Sequence, residues 1–422
     1  MKNAFTDRRT LFLVVVASLG YFVDIYDLVL FNVVKKESLE AIGLSGETLG
    51  RYDTSLFNWQ MGGMLLGGLL WGILGDKRGR VQVLFGSILL YSVANIANAF
   101  VTDTTQYSIC RVLAGIGLAG ELGAGITLVV ESMERTQRGW GTMIIVTFGA
   151  LGAVAASLVG NSGAAIASAL GLSLQGWQMA YIMGGALGLC LLALRAGAFE
   201  SGMFTQVHSR SDVVKGDFLA LFRTRRSTLK YLASIAIGLP VWFVIGVLIN
   251  KSHLIGTSLG VQGEVSVGKS VMWAYIGLSV GDLISGLLSQ LMRSRRKVIL
   301  IYLGFLSVCV LVFLFEGSVG LSRFYFMCLL LGASTGFWAL FVTVASEQFG
   351  TNLRSTVTNT VPNFVRGAVI PISLSFMAIR GPLGDRSAVL IVGAVCIGLS
   401  LWATLYVRET FGDDMDFLES GK

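Results

Sequence analysis

The chain has 422 residues, of which 54% are hydrophobic and only 14% are charged, whereas a soluble domain has about 25% charged residues. The mean hydropathy of +0.72 excludes an ordinary soluble protein and indicates a membrane protein. The formal net charge of +7 does not indicate a nucleic-acid partner, because the basic residues lie mostly in short loops between apolar runs.

Apolar runs of about 20 residues recur along the whole chain, and each is long enough to cross roughly 30 Å of hydrocarbon as a helix. The N-terminal stretch is similar to a signal peptide, but its apolar pattern continues to Val34, so we interpret it as an uncleaved first span. The sequence predicts twelve spans, near 11–34, 52–74, 81–101, 107–131, 140–165, 177–197, 229–250, 269–291, 298–318, 323–347, 356–380 and 387–408.

The basic residues predict the orientation of the chain. If the N-terminus is cytoplasmic, the cytoplasmic segments hold most of the 32 Lys and Arg residues. Because basic loops stay in the cytoplasm, we expect both termini to be cytoplasmic. The expected location is the plasma membrane, which in a bacterium is the inner membrane.

The longest polar gap divides the chain into two halves. It predicts an N-terminal six-helix bundle at 1–197, a cytoplasmic linker at 198–228, and a C-terminal six-helix bundle with a cytoplasmic tail at 229–422. The pattern Glu-x6-Arg occurs after spans 4 and 10 at the same offset of 216 residues, and that offset also aligns loop 75–80 with loop 291–296. An internal repeat is therefore indicated, and many secondary transporters are built from repeated halves around a midplane site.

Four stretches resemble a known family. The motif Gly72-x3-Asp76-Lys77-x-Gly79-Arg80 resembles the loop between helices two and three of the major facilitator superfamily. The sequence at 111–132 is similar to helix four of its metabolite–proton symporters. The sequence at 353–371 is similar to helix eleven of its organic-ion transporters and proton–phosphate symporters, and the opening YFVDIYDLVLF is similar to helix one in those branches.

The resemblance covers essentially the whole chain and implies the major facilitator fold. This fold is an all-α membrane protein with twelve transmembrane helices in two pseudo-symmetric six-helix bundles. By resemblance, Asp76, Arg80, Glu131 and Arg138 form a salt-bridge lock at the cytoplasmic ends of the helices. Glu347 and Arg354, with the basic residues at 293–296, are expected to form a similar lock in the second half, although Met292 replaces the acid of the family motif. The alternative is a solvated charged rim, since exposed ion pairs contribute only about 0–1 kcal/mol.

Four ionisable residues in the first half are candidates for proton coupling. Asp24 and Asp27 share one face of span 1, and Arg111 of span 4 is expected at a similar depth. Such a cluster can exchange a proton, although a fixed Asp–Arg pair that joins the two spans is an alternative. Glu121 lies among small residues near the middle of span 4, so it can carry a proton or hold a cationic substrate group. The alternative is a packed glutamate that is neutral or paired.

Arg366 is the candidate for substrate binding, because it lies near the middle of span 11. Its planar guanidinium matches a carboxylate or a phosphate. The alternative is an ion pair with Asp282, an acid expected at similar depth in span 8. Five aromatic residues are further candidates for lining the cavity: Tyr26, Trp59, Trp273, Tyr275 and Trp338. The alternative is that they pack in the core or anchor the helices at the membrane interface.

These features predict a secondary active transporter that couples protons to the symport of a small, carboxylate-like organic anion by alternating access. One alternative is a proton-driven antiporter that exports drugs or metabolites, and another is a membrane receptor that transports nothing. No enzymatic activity, cofactor or metal is expected, and the five cysteines show no metal spacing. ATP is not expected to drive the transport, because no nucleotide-binding motif such as GxxxxGK(S/T) occurs. The expected partners are the substrate, protons and the lipid bilayer, and the expected state is a monomer.

Overall fold

The computed structural model describes residues 8–134, 137–195, 214–316, 319–413 and 417–419. Within these ranges the chain is helical, apart from loops and one isolated bridge between Gln262 and Gly320. Residues 198–213 of the predicted linker lie outside the described residues, and the rest of it contains the short 3-10 helix Phe218–Phe222.

The first half contributes spans 1 to 6. Their bounds are Arg8–Ala41, Gly46–Arg78, Arg80–Asn98, the pair Thr104–Leu118 and Glu121–Ser132, Arg138–Ala169, and Gly176–Leu194. Span 4 is therefore broken near its middle, at residues 119–120.

The second half begins with span 7, which consists of Arg225–Phe243, a π-helical turn at Val244–Ile249 and the short helix Ser252–Ser258. Spans 8 to 10 are Val267–Met292, Arg295–Phe315, and the pair Leu321–Ser334 and Trp338–Glu347. Span 11 begins as Arg354–Gly367 and continues into Val369–Tyr406. That helix bends at Gly384 (φ 77°), and the part after the bend is span 12.

The described residues contain ten helical segments that are long and apolar enough to cross a membrane. One of them, Arg354–Tyr406, has 53 residues, or roughly 80 Å at 1.5 Å per residue, which is enough for two spans joined at the bend. Gly46–Arg78 is more polar but has 33 residues, long enough for another span. The predicted all-α fold with twelve spans is thereby confirmed.

The repeat is visible in the helix ends. The breaks in spans 4 and 10, at 119–120 and 335–337, lie at the predicted offset, and Arg138 and Arg354 each begin a helix. Arg80 and Arg295 also begin equivalent helices. The structure therefore aligns Arg80 with Arg295, whereas the sequence offset of 216 aligned Arg80 with Arg296.

The two halves contact each other along spans 2 and 11 and along spans 5 and 8. Small residues permit the close approach, since a Cβ added at Gly72 would lie 2.9 Å from the Cα of Thr356. The loops after spans 2, 4, 8 and 10 meet at one end of the molecule. We call it the basic end, because exposed Lys77, Arg78, Arg293 and Lys297 lie there.

Candidate functional site

Arg366 lies between the two halves, in the last turn of the helix Arg354–Gly367. Its side chain is buried, and its Nη2 lies 3.5 Å from Oδ2 of Asp24 in span 1. The guanidinium also donates to Oδ1 of Asn363 at 3.2 Å and to the hydroxyl of Tyr21 at 3.5 Å, and it lies 5.8 Å from the centre of the Trp338 ring. Spans 1, 10 and 11 therefore meet at one buried positive charge.

A small cavity adjoins this guanidinium. Its volume is about 20 Å³, enough for roughly one water molecule, so the two halves are closed around it. The lining residues come from both halves: Tyr21, Ile25, Ala150, Val241, Trp242, Ile245, Tyr275, Leu278, Trp338 and Arg366. One fixed guanidinium among aromatic walls is suited to a planar organic anion once the halves separate.

The predicted aromatic candidates divide into two groups. Tyr275 and Trp338 line the cavity. Trp59 and Trp273 lie outside it, with 54% and 36% of their surface exposed on the outside of the helical bundle. Tyr26 is buried within the first half, where its hydroxyl donates to the carbonyl of Ala180 at 3.0 Å.

Sequence reasoning missed Tyr21 and Trp242, which line the cavity beside Arg366. A signal for Tyr21 was available, because it precedes Asp24 by three residues and so shares a helical face with it. Its hydroxyl accepts from Nε1 of Trp338 at 3.1 Å, which fixes the tryptophan from the other half.

Asp282 does not pair with Arg366 in the described structure. Its Oδ1 accepts a hydrogen bond from the backbone nitrogen of Ala339 at 3.0 Å. That nitrogen lies in the first turn of Trp338–Glu347, where backbone N–H groups lack partners within the helix. Asp282 thus stabilises the break in span 10, and the predicted alternative of an Arg366–Asp282 pair is wrong.

Glu121 has a partner that sequence reasoning missed. Arg195 directly follows span 6 and forms a bidentate ion pair with Glu121, in which Nη1 lies 2.9 Å from Oε2 and Nη2 contacts Oε1. Both side chains are buried. Gly20 of span 1 provides the space for them, because a Cβ at Gly20 would collide with both. The structure thus shows the alternative of a packed and paired Glu121.

Arg111 and Asp27 do not form an ion pair either. Arg111 donates to Oε1 of Gln60 and, at 3.5 Å, to the hydroxyl of Tyr181, and it lies 5.0 Å from the centre of the Phe31 ring. Asp27 packs against Gly184 of span 6. Neither of its carboxylate oxygens makes a hydrogen bond within the described residues.

The predicted proton-coupling cluster is therefore distributed over separate contacts. Asp24 contacts Arg366 in the other half, Glu121 contacts Arg195, and Arg111 contacts Gln60. Asp27 has no ion-pair partner among the described residues, and the carboxylate oxygens of both Asp24 and Asp27 make no hydrogen bonds there.

The predicted lock residues come together at the basic end. Oε1 of Glu131 accepts from Arg80 at 2.9 Å and from Arg354 of the other half at 3.1 Å. Asp76 lies 3.5 Å from Arg80 and accepts hydrogen bonds from Thr356 Oγ1 and from the backbone nitrogens of residues 355 and 356, at 2.7 to 3.1 Å. All these side chains are buried, so they join the halves and are not a solvated rim.

Of the arginines expected in the second-half lock, Arg295 contacts Glu347 and Arg354 does not. Glu347 lies 3.3 Å from Arg295 and accepts from Oγ1 of Thr410 at 2.6 Å, whereas Arg354 crosses to Glu131. Arg138 donates from Nε to the carbonyls of Val130 at 3.0 Å and Met133 at 3.3 Å. The structure thus brings all six predicted lock residues to this end.

The model of the Major Facilitator Superfamily matches residues 17–373. The chain belongs to this superfamily. Its fold is that of a transporter, and its relatives and structural neighbours are transporters, so it is not an enzyme.

Three relatives and one solved structure are also similar to this chain. The chain is 26% identical to a putative metabolite transport protein of Haemophilus influenzae, over 95% of this chain and 96% of that one. It is 29% identical to the 3-(3-hydroxy-phenyl)propionate transporter of Escherichia coli, over 58% and 57%, and 23% identical to the benzoate transport protein of Acinetobacter baylyi, over 81% and 78%. The structure of the proton:xylose symporter XylE has a TM-score of 0.71 at 15% identity, covering 97% of this chain and 98% of that one.

Proposed function

We propose that this transporter carries a small organic anion together with protons, by alternating access. The observation that carries the proposal is the Asp24–Arg366 pair, which bridges the halves beside the aromatic cavity. An anion that binds Arg366 must displace the Asp24 carboxylate, because the two compete for one guanidinium. Protonation of Asp24 removes that competition, so the proton and the anion favour the same state of the site.

The charge balance supports symport. With Asp24 ionised and no substrate, the Asp24–Arg366 pair is neutral. With Asp24 protonated and an anion on Arg366, the site is neutral again. Both states avoid an isolated charge at the membrane interior, which costs at least about 2.5–3.5 kcal/mol. A proton alone or an anion alone leaves a net charge, so neither is expected to cross efficiently.

The proposed substrate class is a monocarboxylate with an aromatic or similarly planar body. Tyr21, Trp242, Tyr275 and Trp338 provide flat apolar walls around Arg366. Relatives named for benzoate and for 3-(3-hydroxy-phenyl)propionate support this class. The proton:xylose symporter among the structural neighbours supports the coupling ion.

We further propose that the basic end faces the cytoplasm of a bacterial cell, in its inner membrane. The positive-inside rule supports this orientation, and twelve spans then place both termini in the cytoplasm. We also propose that residues 1–197 and 229–422 move as the two bundles of a monomer, with 198–228 as the linker.

Uptake into proteoliposomes tests the function. Labelled benzoate, nicotinate and 3-hydroxyphenylpropionate are supplied outside vesicles with an acidic exterior, and benzamide serves as the neutral isostere. Vesicles that contain Arg366→Ala report passive entry of the protonated acid. We expect accumulation of an acid above that background, loss of accumulation with a protonophore, and no accumulation of benzamide. Equal uptake with and without the pH gradient contradicts proton coupling, and substrate efflux driven by the same gradient indicates the antiporter.

A further inference from the structure

Three buried hydroxyl groups form a chain inside the first half. The Ser38 hydroxyl oxygen lies 2.9 Å from that of Tyr107, and the Tyr107 oxygen lies 3.0 Å from that of Tyr181. In both contacts either oxygen can be the donor. All three residues have 0% of their surface exposed. The chain is thus a continuous series of reversible hydrogen bonds through spans 1, 4 and 6.

The chain leads from one end of the molecule toward Asp27. Ser38 lies in the last turn of span 1, at the end opposite the basic end, and its neighbours Glu37 and Glu40 are exposed. Tyr181 lies one helical turn from Gly184, against which Asp27 packs. Asn95 also faces Asp27, but neither carboxylate oxygen makes a hydrogen bond of normal geometry among the described residues.

The chain is separate from the substrate cavity. None of its three residues lines the cavity beside Arg366. Instead, Tyr107 and Tyr181 pack edge to face against each other, and the Phe31 ring packs against Tyr107. A proton on this path therefore stays within the first half and need not pass the bound anion.

We propose that Ser38, Tyr107 and Tyr181 relay protons from the outer surface to Asp27, which then exchanges the proton with Asp24 three residues away on the same helical face. The inference rests on the proposed proton coupling. Ser38 also lies 3.1 Å from the carbonyl of Lys35, a second acceptor for its proton, so its hydroxyl must rotate between two hydrogen bonds during each transfer.

The transfer conserves protons and charge. Tyr181 gives its hydroxyl proton toward Asp27, whose carboxylate becomes a carboxylic acid. Tyr107 restores the Tyr181 proton, Ser38 restores that of Tyr107, and a hydronium ion from the exterior restores that of Ser38 and becomes water. Arg111, which donates to the Tyr181 oxygen at 3.5 Å, stabilises negative charge there during the step. No hydrogen bond joins Tyr181 to Asp27 in the described structure, so the last transfer is proposed to pass through a bridging water molecule.

Tyr107→Phe and Tyr181→Phe test the relay, because each removes a hydroxyl and keeps the ring. Tyr91→Phe is the matched control, since Tyr91 is buried in span 3 and its hydroxyl makes no hydrogen bond in the described part of the chain. Proton entry is followed with a pH-sensitive dye inside proteoliposomes, and substrate exchange is measured without a gradient. We expect at least a tenfold loss of substrate-coupled proton entry in the two relay variants, exchange within twofold of wild type, and no change in Tyr91→Phe.

The outcomes separate the relay from the coupling itself. If the wild-type protein moves no protons with its substrate, the proposed function fails and the relay falls with it. If wild type couples and Tyr107→Phe couples at the same rate, the relay alone is overturned. If substrate exchange falls together with proton entry in the two tyrosine variants, Ser38→Ala distinguishes a relay from a loss of packing. It removes the outer hydroxyl with little loss of packing, and unchanged proton entry in that variant overturns the relay.

Discussion

Asp24 and Arg366 form a buried ion pair, with 3.5 Å between Oδ2 and Nη2, that joins the first span to the eleventh. Because the pair connects the two halves, a change in its ionisation or pairing changes a contact between them. The pair also allows an experiment to separate a structural role of Arg366 from a role in substrate binding.

The exchanged variant Asp24→Arg with Arg366→Asp keeps a pair at the site but moves the positive charge to span 1. We expect a thermal unfolding midpoint close to that of wild type and a loss of anion uptake of at least 100-fold. Arg366→Ala alone leaves the Asp24 carboxylate unpaired, and breaking a buried pair costs about 3–5 kcal/mol. Anion uptake at the wild-type rate by the exchanged variant contradicts a binding role for Arg366.

The Glu121–Arg195 pair predicts a stability effect with internal rescue. Arg195→Ala should destabilise the protein by about 3–5 kcal/mol, because it removes one partner of a buried ion pair. Adding Glu121→Gln should recover part of this loss. Gly20→Ala should also destabilise, by about 1–3 kcal/mol through overpacking. Gly62→Ala is the control, since a Cβ there meets no atom within 4 Å. Equal unfolding midpoints for the two glycine variants contradict the close packing of span 1 on the Glu121–Arg195 pair.

The lock at the basic end predicts a change in conformational populations. Asp76→Asn keeps the shape of the side chain but replaces one accepting oxygen by an NH2 group, which cannot accept from Ser355 or Thr356. We expect longer distances between spin labels at Arg78→Cys and Lys297→Cys, measured by pulsed electron resonance. Arg323→Ala, which removes a 64% exposed ion-pair partner, should leave the distances unchanged. Identical distributions for Asp76→Asn and wild type assign Asp76 no role in closure.

Glu409 predicts a pH-dependent stability outside the membrane spans. Burial raises the pKa of its carboxyl, but hydrogen bonds from Ser294 and from the backbone of Arg295, Phe411 and Arg296 outweigh burial and hold the pKa below its ordinary value. Because the pKa of Glu409 is lower in the folded state than in the unfolded state, its carboxylate stabilises the folded protein at pH values above the unfolded-state pKa of about 4.3. This stabilisation is lost as the pH falls through the folded-state pKa. Glu409→Gln should therefore lower the unfolding midpoint at pH 7, with the difference shrinking below about pH 4.3. A difference that is constant with pH contradicts this origin.

The proposed orientation predicts which surface positions react from outside the cell. In a variant with all five native cysteines replaced by serine, single cysteines at Glu40 and Glu264 should react with an impermeant maleimide in intact cells. Cysteines at Arg78 and Lys297 should react only after permeabilisation. All four side chains are exposed, so burial does not affect the comparison. The reverse pattern contradicts a cytoplasmic basic end.

The sequence predicted the spans from apolar length, the lock residues from their resemblance to a family motif, and the buried position of Arg366 from a charge within an apolar run. All three are local properties of the chain. The partners of the buried charges were not predictable in the same way. Asp24 and Asp27 lie three residues apart, yet only Asp24 reaches Arg366, since the pairing depends on how spans 1 and 11 approach each other. Arg195 was missed although it lies inside the predicted span 177–197, because an arginine near the end of a span usually extends to the membrane surface.

The aromatic residues show the same limit. Trp59 and Trp273 face outward while Trp338 faces the cavity, and an indole is equally suited to lipid and to a planar ligand. Hydrophobicity alone therefore does not separate the two environments. To assign each tryptophan to lipid or to the cavity, one must know how its helix is rotated about its own axis. That rotation is determined by the small residues at the helix contacts.

The closed cavity beside Arg366 has a consequence for inhibitors. A space of about 20 Å³ admits no benzoate-sized molecule, so any competitive compound must wait for the halves to separate. Its rate of onset should then level off at high concentration, at a value equal to the opening rate of the transporter. A compound that acts with an onset rate rising in direct proportion to its concentration must bind somewhere already accessible, on the outer surface and away from Arg366.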